Sequence, residues 1–178
     1  MNTYTHRIAT PGDAVSLAQV NITSWQAAYR GIVADNFLDH RDMEDAVRRF
    51  ERHFTEANGT YVVLEQGERV IGYVAYGPER QLQLPDYTGE LRALYLVPAY
   101  QRQGLGKRLF GVAVAGLKAQ GHTGMLLWVL ARNANARGFY EVMGGELLES
   151  SAQTFEIAGQ TVEEVAYVWP RMPEVPIP

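Results

Sequence analysis

The stretch that most limits how this chain can fold is residues 89–117, GELRALYLVPAYQRQGLGKRLFGVAVAGL. Its first part reads as a strand closed by Pro98, which has no N–H to give a sheet ladder. A short polar loop holding Gly104 and Gly106 follows. Leu105, Leu109, Val112 and Gly116 then share one helical face, and Gly121 stops the helix. A helix N-terminus carries unpaired N–H groups and partial positive charge, so it attracts anions. Glycine lets a main chain approach a phosphate closely, with no Cβ in the way. Gln101 to Arg108 therefore reads as a pyrophosphate cradle, to which Lys107 and Arg108 add charge. The competing reading gives the glycines no task beyond the turn. Two familiar phosphate loops are excluded. The Walker pattern needs glycine at 101 and Ser or Thr at 108, where Gln and Arg stand. The dinucleotide fingerprint needs glycine at 109, which is leucine.

Around this segment the chain alternates strand and helix patterns. THRIAT reads as a first strand and Thr10-Pro11-Gly12-Asp13 as a helix start. Val15, Ala18, Ile22, Trp25 and Tyr29 then form one helical stripe, and Met43, Val47, Phe50 and Phe54 a second. TYVVLEQGERVIGYVAYG reads as a hairpin around Gly67. MLLWVL suits a strand covered on both faces. Asn133 opens a short helix that ends at Gly144-Gly145, and a closing hairpin turns at Gly159. This order predicts an α/β (α+β) fold: a mostly antiparallel mixed sheet of six to seven strands flanked by about four helices. Residues 1–170 are expected to form a single domain and 171–178 a proline-rich tail.

Composition removes several function classes. A chain of 178 residues buries roughly two-thirds of its unfolded surface. With no cysteine there is no disulfide, no thiolate nucleophile and no cysteine-bound metal. His6, His40, His53 and His122 lack metal-ligand spacing, so no metal is expected. A net charge of -4 argues against a nucleic-acid partner. The longest apolar run, Leu109 to Leu117, is far below the ~20 residues of a membrane span, so no membrane partner is expected. The N-terminus lacks a secretory pattern, which makes cytoplasmic the expected location.

LYLVPAYQRQGLGKRLF resembles the acyl-CoA signature of the GCN5-related N-acetyltransferases, with Gln101-Arg102-Gln103-Gly104-Leu105-Gly106 in the Gln/Arg-x-x-Gly-x-Gly/Ala positions. NANARGFYEVMGGELL is similar to the same family's Asn-x-x-Ala-x-x-Phe-Tyr helix, here Asn133, Ala136, Phe139 and Tyr140. The likeness extends over nearly the whole chain. It departs at Gln101, where Arg is commoner, and at Gly145, where many members have Phe.

The resemblance implies acetyl transfer from acetyl-CoA to a primary amine, on a small molecule or a protein, by direct attack in a ternary complex. A non-catalytic acyl-CoA binder or sensor of the same fold is the alternative. It implies that backbone N–H groups from Arg102 to Lys107 hold the pyrophosphate, and that backbone groups around Tyr95, at Leu94 and Leu96, meet pantetheine and the thioester. It makes Tyr140 the general acid for the leaving thiolate, against a plain packed aromatic. Asn133 either contacts the cofactor or only caps its helix. Glu90 is the candidate base, against a solvated carboxylate or one that binds a cationic substrate. In a regular strand Glu90 and Leu94 face the same way about 13 Å apart, which calls for a water relay. Trp25 and Tyr29 are either core or acceptor-pocket lining, and the Gln81–Tyr87 loop could cover that pocket. Many relatives form homodimers, and apolar closing strands allow one here.

Overall fold

The 89–117 segment folds as strand, loop and helix. In the computed structural model, which describes residues 3–56, 59–81 and 84–175, β4 (Gly89–Leu96) leads through the glycine loop into α4 (Leu105–Ala119). Before it come β1 (Tyr4–Ile8), α1 (Ala14–Ala28), α2 (Asp35–Asp39), α3 (Met43–Thr55), β2 (Thr60–Gln66) and β3 (Arg69–Pro78). After it come β5 (Met125–Leu130), α5 (Ala134–Val142), β6 (Glu146–Leu147), β7 (Gln153–Ile157) and β8 (Gln160–Trp169).

The strands make one sheet in the order β1-β2-β3-β4-β5-β8-β6, with β7 also on β8. Every strand pairing is antiparallel except that of β4 with β5. The expected α/β fold is present, with eight strands rather than six or seven and five helices rather than four. The additions are short: β6 has two residues and α2 five, too few to show a period.

Helices cover both faces. Val74, Leu91, Leu109, Phe110 and Leu117 form the core beneath α4. Leu17, Ala18, Phe50, Val63 and Tyr73 form a second core beneath α1 and α3. The stripe expected on α1 is partly rotated: Ala18 and Ile22 are buried as expected, but Val15 is 59% exposed while Leu17, Asn21 and Ser24 are buried. The helix packs against β3 and α3 together, and contact on two sides moves the buried face away from the simple apolar stripe. Gly145 also finds its reason. A Cβ there would stand 2.6 Å from the Trp169 ring, so no side chain fits. In the proline-rich tail, Met172 and Val175 pack on the α4-side core, while residues 176–178 lie outside the described part.

Two irregularities shape the centre of the sheet. The β3–β4 register shifts between Ala75, opposite Ala93, and Tyr76, opposite Leu91, leaving Arg92 as the extra residue of a bulge. A bulge inverts the alternation of faces. Glu90 lies opposite Gly77 and so shares a face with Ala93 and Tyr95, not with Leu94. The expectation that Glu90 and Leu94 face the same way is corrected. The second irregularity is the β4–β5 ladder, which contains only Gly89–Met125 and Glu90–Leu126 before the strands part.

Candidate active site

Where β4 and β5 separate, backbone groups of β4 lose their ladder partners. The Val97 N–H donates to Ile71 O at 2.9 Å, on the β3 side. Alternation along the strand therefore aims the backbone groups of Leu94 and Leu96 at the open side. The Gln101 side chain donates to the Leu96 carbonyl at 3.1 Å, which fixes the start of the loop to the strand it follows.

The loop itself offers a row of donors. From Arg102 to Lys107 no backbone N–H finds an acceptor among the described residues. Arg102 (φ 60) and Gly104 (φ 80) are both left-handed, and this turns successive N–H groups outward together. The side chains anchor the loop: Leu105 is buried, and Gln103 Nε2 donates to Ala99 O at 3.1 Å. A Cβ on Gly106 would meet only Phe139, at an ordinary 3.6 Å. Packing within the protein thus does not require glycine at 106. Lys107 is exposed, and the buried Nε of Arg108 has no partner. These donors suit a diphosphate.

Tyr140 reaches the seam from α5. Its ring packs edge-on against Phe139 at 5.3 Å and Trp169 at 6.5 Å, and its hydroxyl makes no hydrogen bond among the described residues. Burial, and then the nearby Tyr95, push its pKa up, so the phenol stays protonated. Asn133 caps α5, accepting from the Ala136 N–H at 3.2 Å.

From the opposite face come Trp25, Tyr29 and Tyr95. Trp25 Nε1 donates to the Tyr95 hydroxyl at 2.9 Å, the Tyr29 and Tyr95 oxygens lie 3.4 Å apart, and the Trp25 and Tyr29 rings meet edge to face at 4.7 Å. Burial raises the pKa of Tyr29 first, with neighbouring phenols, Tyr140 among them, adding to it. Tyr140 and Tyr29 thus lie near enough for one phenol to influence the other's titration.

Glu90 is not a solvated carboxylate. It is 2% exposed, and Arg80 clamps it with Nε at 2.9 Å and Nη2 at 2.7 Å. Arg92 lies beside it, with Nε at 3.9 Å. On the same face of the sheet is Glu164, whose carboxyl burial pushes up while Gln153, donating at 2.8 Å, opposes and Glu90 adds. The sequence reading passed over Glu164, Arg80 and Arg41 because none sits in a motif or on a periodic stripe. Of the Gln81–Tyr87 loop, residues 82 and 83 lie outside the described part. Among the described residues no group of three His, Asp or Glu side chains could hold a metal ion, and no helix is long and apolar enough to cross a membrane. Two surface clefts lie away from the seam, one between β1 and α4 and one between α1 and the β2–β3 turn.

Comparison with known proteins bears on the family and the fold. A model of the Acetyltransferase (GNAT) family matches residues 22–144. The uncharacterized N-acetyltransferase YuaI of Bacillus subtilis is 30% identical over 93% of this chain and 92% of its own. Among solved structures, yncA from Salmonella typhimurium with its cofactor acetyl-CoA superposes with a TM-score of 0.70 at 20% identity, covering 97% of this chain and 96% of the other. PaiA N-acetyltransferase from Thermoplasma acidophilum, in complex with coenzyme A, gives 0.66 at 19% identity, covering 91% and 98%.

Proposed function

The chain belongs to the GNAT family of acetyltransferases, and from that premise we propose that it moves an acetyl group from acetyl-CoA to a primary amine by direct attack within a ternary complex. The observation that carries this reading is the run of six N–H groups from Arg102 to Lys107 without an acceptor among the described residues, set beside a seam where β4 has left its ladder with β5. Bound acetyl-CoA supplies an activated acyl thioester; the protein contributes the rest. The loop amides and Lys107 hold the diphosphate, and Asn133 at the head of α5 is the further polar candidate for the cofactor. Backbone groups of Leu94 and Leu96 take the place of ladder partners along the pantetheine arm. An N–H at the carbonyl oxygen stabilises the charge that develops there.

Tyr140 donates to the leaving sulfur. Its raised pKa does not disqualify it, because the desolvation that weakens the phenol as an acid also makes a thiolate in the same dry seam more basic. Trp25 and Tyr29 line the acceptor's approach. For the proton lost by the amine, Glu164 suits the role of base better than Glu90. Both Glu90 oxygens already accept from Arg80, which would first have to let go. Glu90 acts instead as the fixed charge that orders Arg80 and Arg92 beside the seam.

A thermal-shift panel tests the cradle. A ligand at a hundred times its Kd adds about 2.7 kcal/mol of stability, which at this chain length raises Tm by roughly 5–10 °C. Acetyl-CoA should give such a rise where ATP and NAD do not, and an amine screen for thiol release should then find acceptors. Equal stabilisation by ATP would overturn the reading.

A further inference from the structure

The acceptor side of the seam carries a charge pattern opposite to that of the whole chain. Arg41, just before α3, lies over the Trp25 indole with its guanidinium carbon 4.2 Å from the ring centroid and 6.0 Å from that of Phe37. Its Nη2 donates to Asn21 Oδ1 at 3.0 Å, and Arg49 Nη2 converges on the same oxygen at 3.3 Å. The Asn21 amide is held in that orientation by donating to the Tyr73 hydroxyl at 2.9 Å. Neither arginine has a carboxylate partner among the described residues. The Nη1 of Arg41 is buried with no hydrogen-bond partner among the described residues. A buried guanidinium donor left unmade is costly, and such a group calls for a partner from outside the protein, water or a ligand.

Burial and the neighbouring Arg49 both pull the Arg41 pKa down, which is what a cation without its counter-ion shows. The position is also right for an acceptor. The indole under Arg41 donates to Tyr95, whose hydroxyl lies 3.4 Å from that of Tyr29, and Tyr140 is close enough to both phenols to affect their titration. An aromatic cluster therefore extends from the unmatched cation toward the phenol at the seam.

We propose that the acceptor is an amine that also carries a carboxylate, the carboxylate seated on Arg41 with Arg49 at the rim and the amine directed toward Tyr140. This deepens the N-acetyltransfer reading and rests on it. A planar guanidinium fork with free donors matches a carboxylate in two-point contact. The same positive charge disfavours polyamines and other acceptors that are purely cationic.

Matched probes decide it: each proteinogenic amino acid, its carboxamide and its decarboxylated amine, compared by kcat/KM for thiol release. The expected result is at least a ten-fold preference for the carboxylate member of the favoured set. Arg41→Gln should raise KM for that member ten-fold or more, with the KM for acetyl-CoA within two-fold and the carboxamide unaffected. Arg41→Lys should recover part of the loss. Arg49 is exposed, so Arg49→Gln folds whatever becomes of the Arg41 variants, and it should weaken the same preference less. Quenching of tryptophan fluorescence gives a readout without turnover, since Trp25 is the surface under Arg41: the amino acid should bind and its carboxamide should not. Carboxylate-selective binding that Arg41→Gln abolishes supports the anion site even if no acceptor turns over, in which case the N-acetyltransfer reading alone has failed. Equal use or binding of the carboxamide, or a preference that survives both arginine substitutions, overturns the proposal.

Discussion

At Tyr140 a side chain is held by its ring while its functional atom is left alone. The ring contacts Phe139, Tyr167 and Trp169, and the hydroxyl bonds to nothing in the described protein. Removing that oxygen therefore tests chemistry with little structural interference. Tyr140→Phe should lower kcat by about 10²-fold, within the range for loss of a general acid, while the KM for acetyl-CoA stays within two-fold and Tm within about a degree. Steady-state kinetics beside a melting curve check this, and an unchanged kcat would return Tyr140 to a packing role. Tyr140 stands out in the sequence because it belongs to a motif. Glu90 was only half legible: its identity was visible, but its orientation depends on the bulge at Arg92, and nothing local in ELRALYL announces an extra residue. Its partner Arg80 lies on a loop ten positions earlier, and only the folded hairpin brings the two together.

The loop and α4 show the opposite case, an element whose local geometry can be read from residue types alone. Glycine at 104 follows from its left-handed φ, and glycine at 106 has no packing explanation. The two positions predict different outcomes. Gly106→Ala replaces a glycine within a helix where a Cβ has room, so stability should rise by roughly 0.5–1 kcal/mol. The Kd for acetyl-CoA should nonetheless worsen several-fold as the methyl group obstructs the ligand. Denaturant titration and calorimetry measure the two quantities independently, and an unaltered Kd would show that the cradle does not work by close approach. Elements of strong period, such as α3 and the β2–β3 hairpin, were equally plain. Those set by two-sided packing or by length, the rotated face of α1 and the two-residue β6, were not.

At the scale of the molecule, one cluster joins the start of the chain to the sheet. Arg7 of β1 holds Asp13 at the head of α1 with two bonds of 2.8 Å and reaches Glu65 of β2 at 2.8 Å, and Asp13 also accepts from the Thr10 N–H at 2.7 Å. Arg7 first, against the cost of burial, lowers the Asp13 pKa from 3.8 to about 2. The folded value lies below the unfolded one, so this stabilisation is complete above about pH 4 and fades as pH falls toward 2. Because Arg7 is 44% exposed and screened by solvent, its worth is on the order of 1 kcal/mol. Urea midpoints for wild type and Asp13→Asn should differ at pH 7 and converge near pH 2. The sheet that this cluster secures has a weak line down its middle. Among the described residues, the ladder between β1–β4 and β5–β8 consists of two rungs at Gly89 and Glu90, with the core beneath α4 spanning both sides, so in the plane of the sheet the halves resemble the covers of a book bound at one end of the spine. A thioester-bearing arm laid in the crease would act as stitching, and amides along that crease should exchange with deuterated solvent faster in the empty protein than in the loaded one.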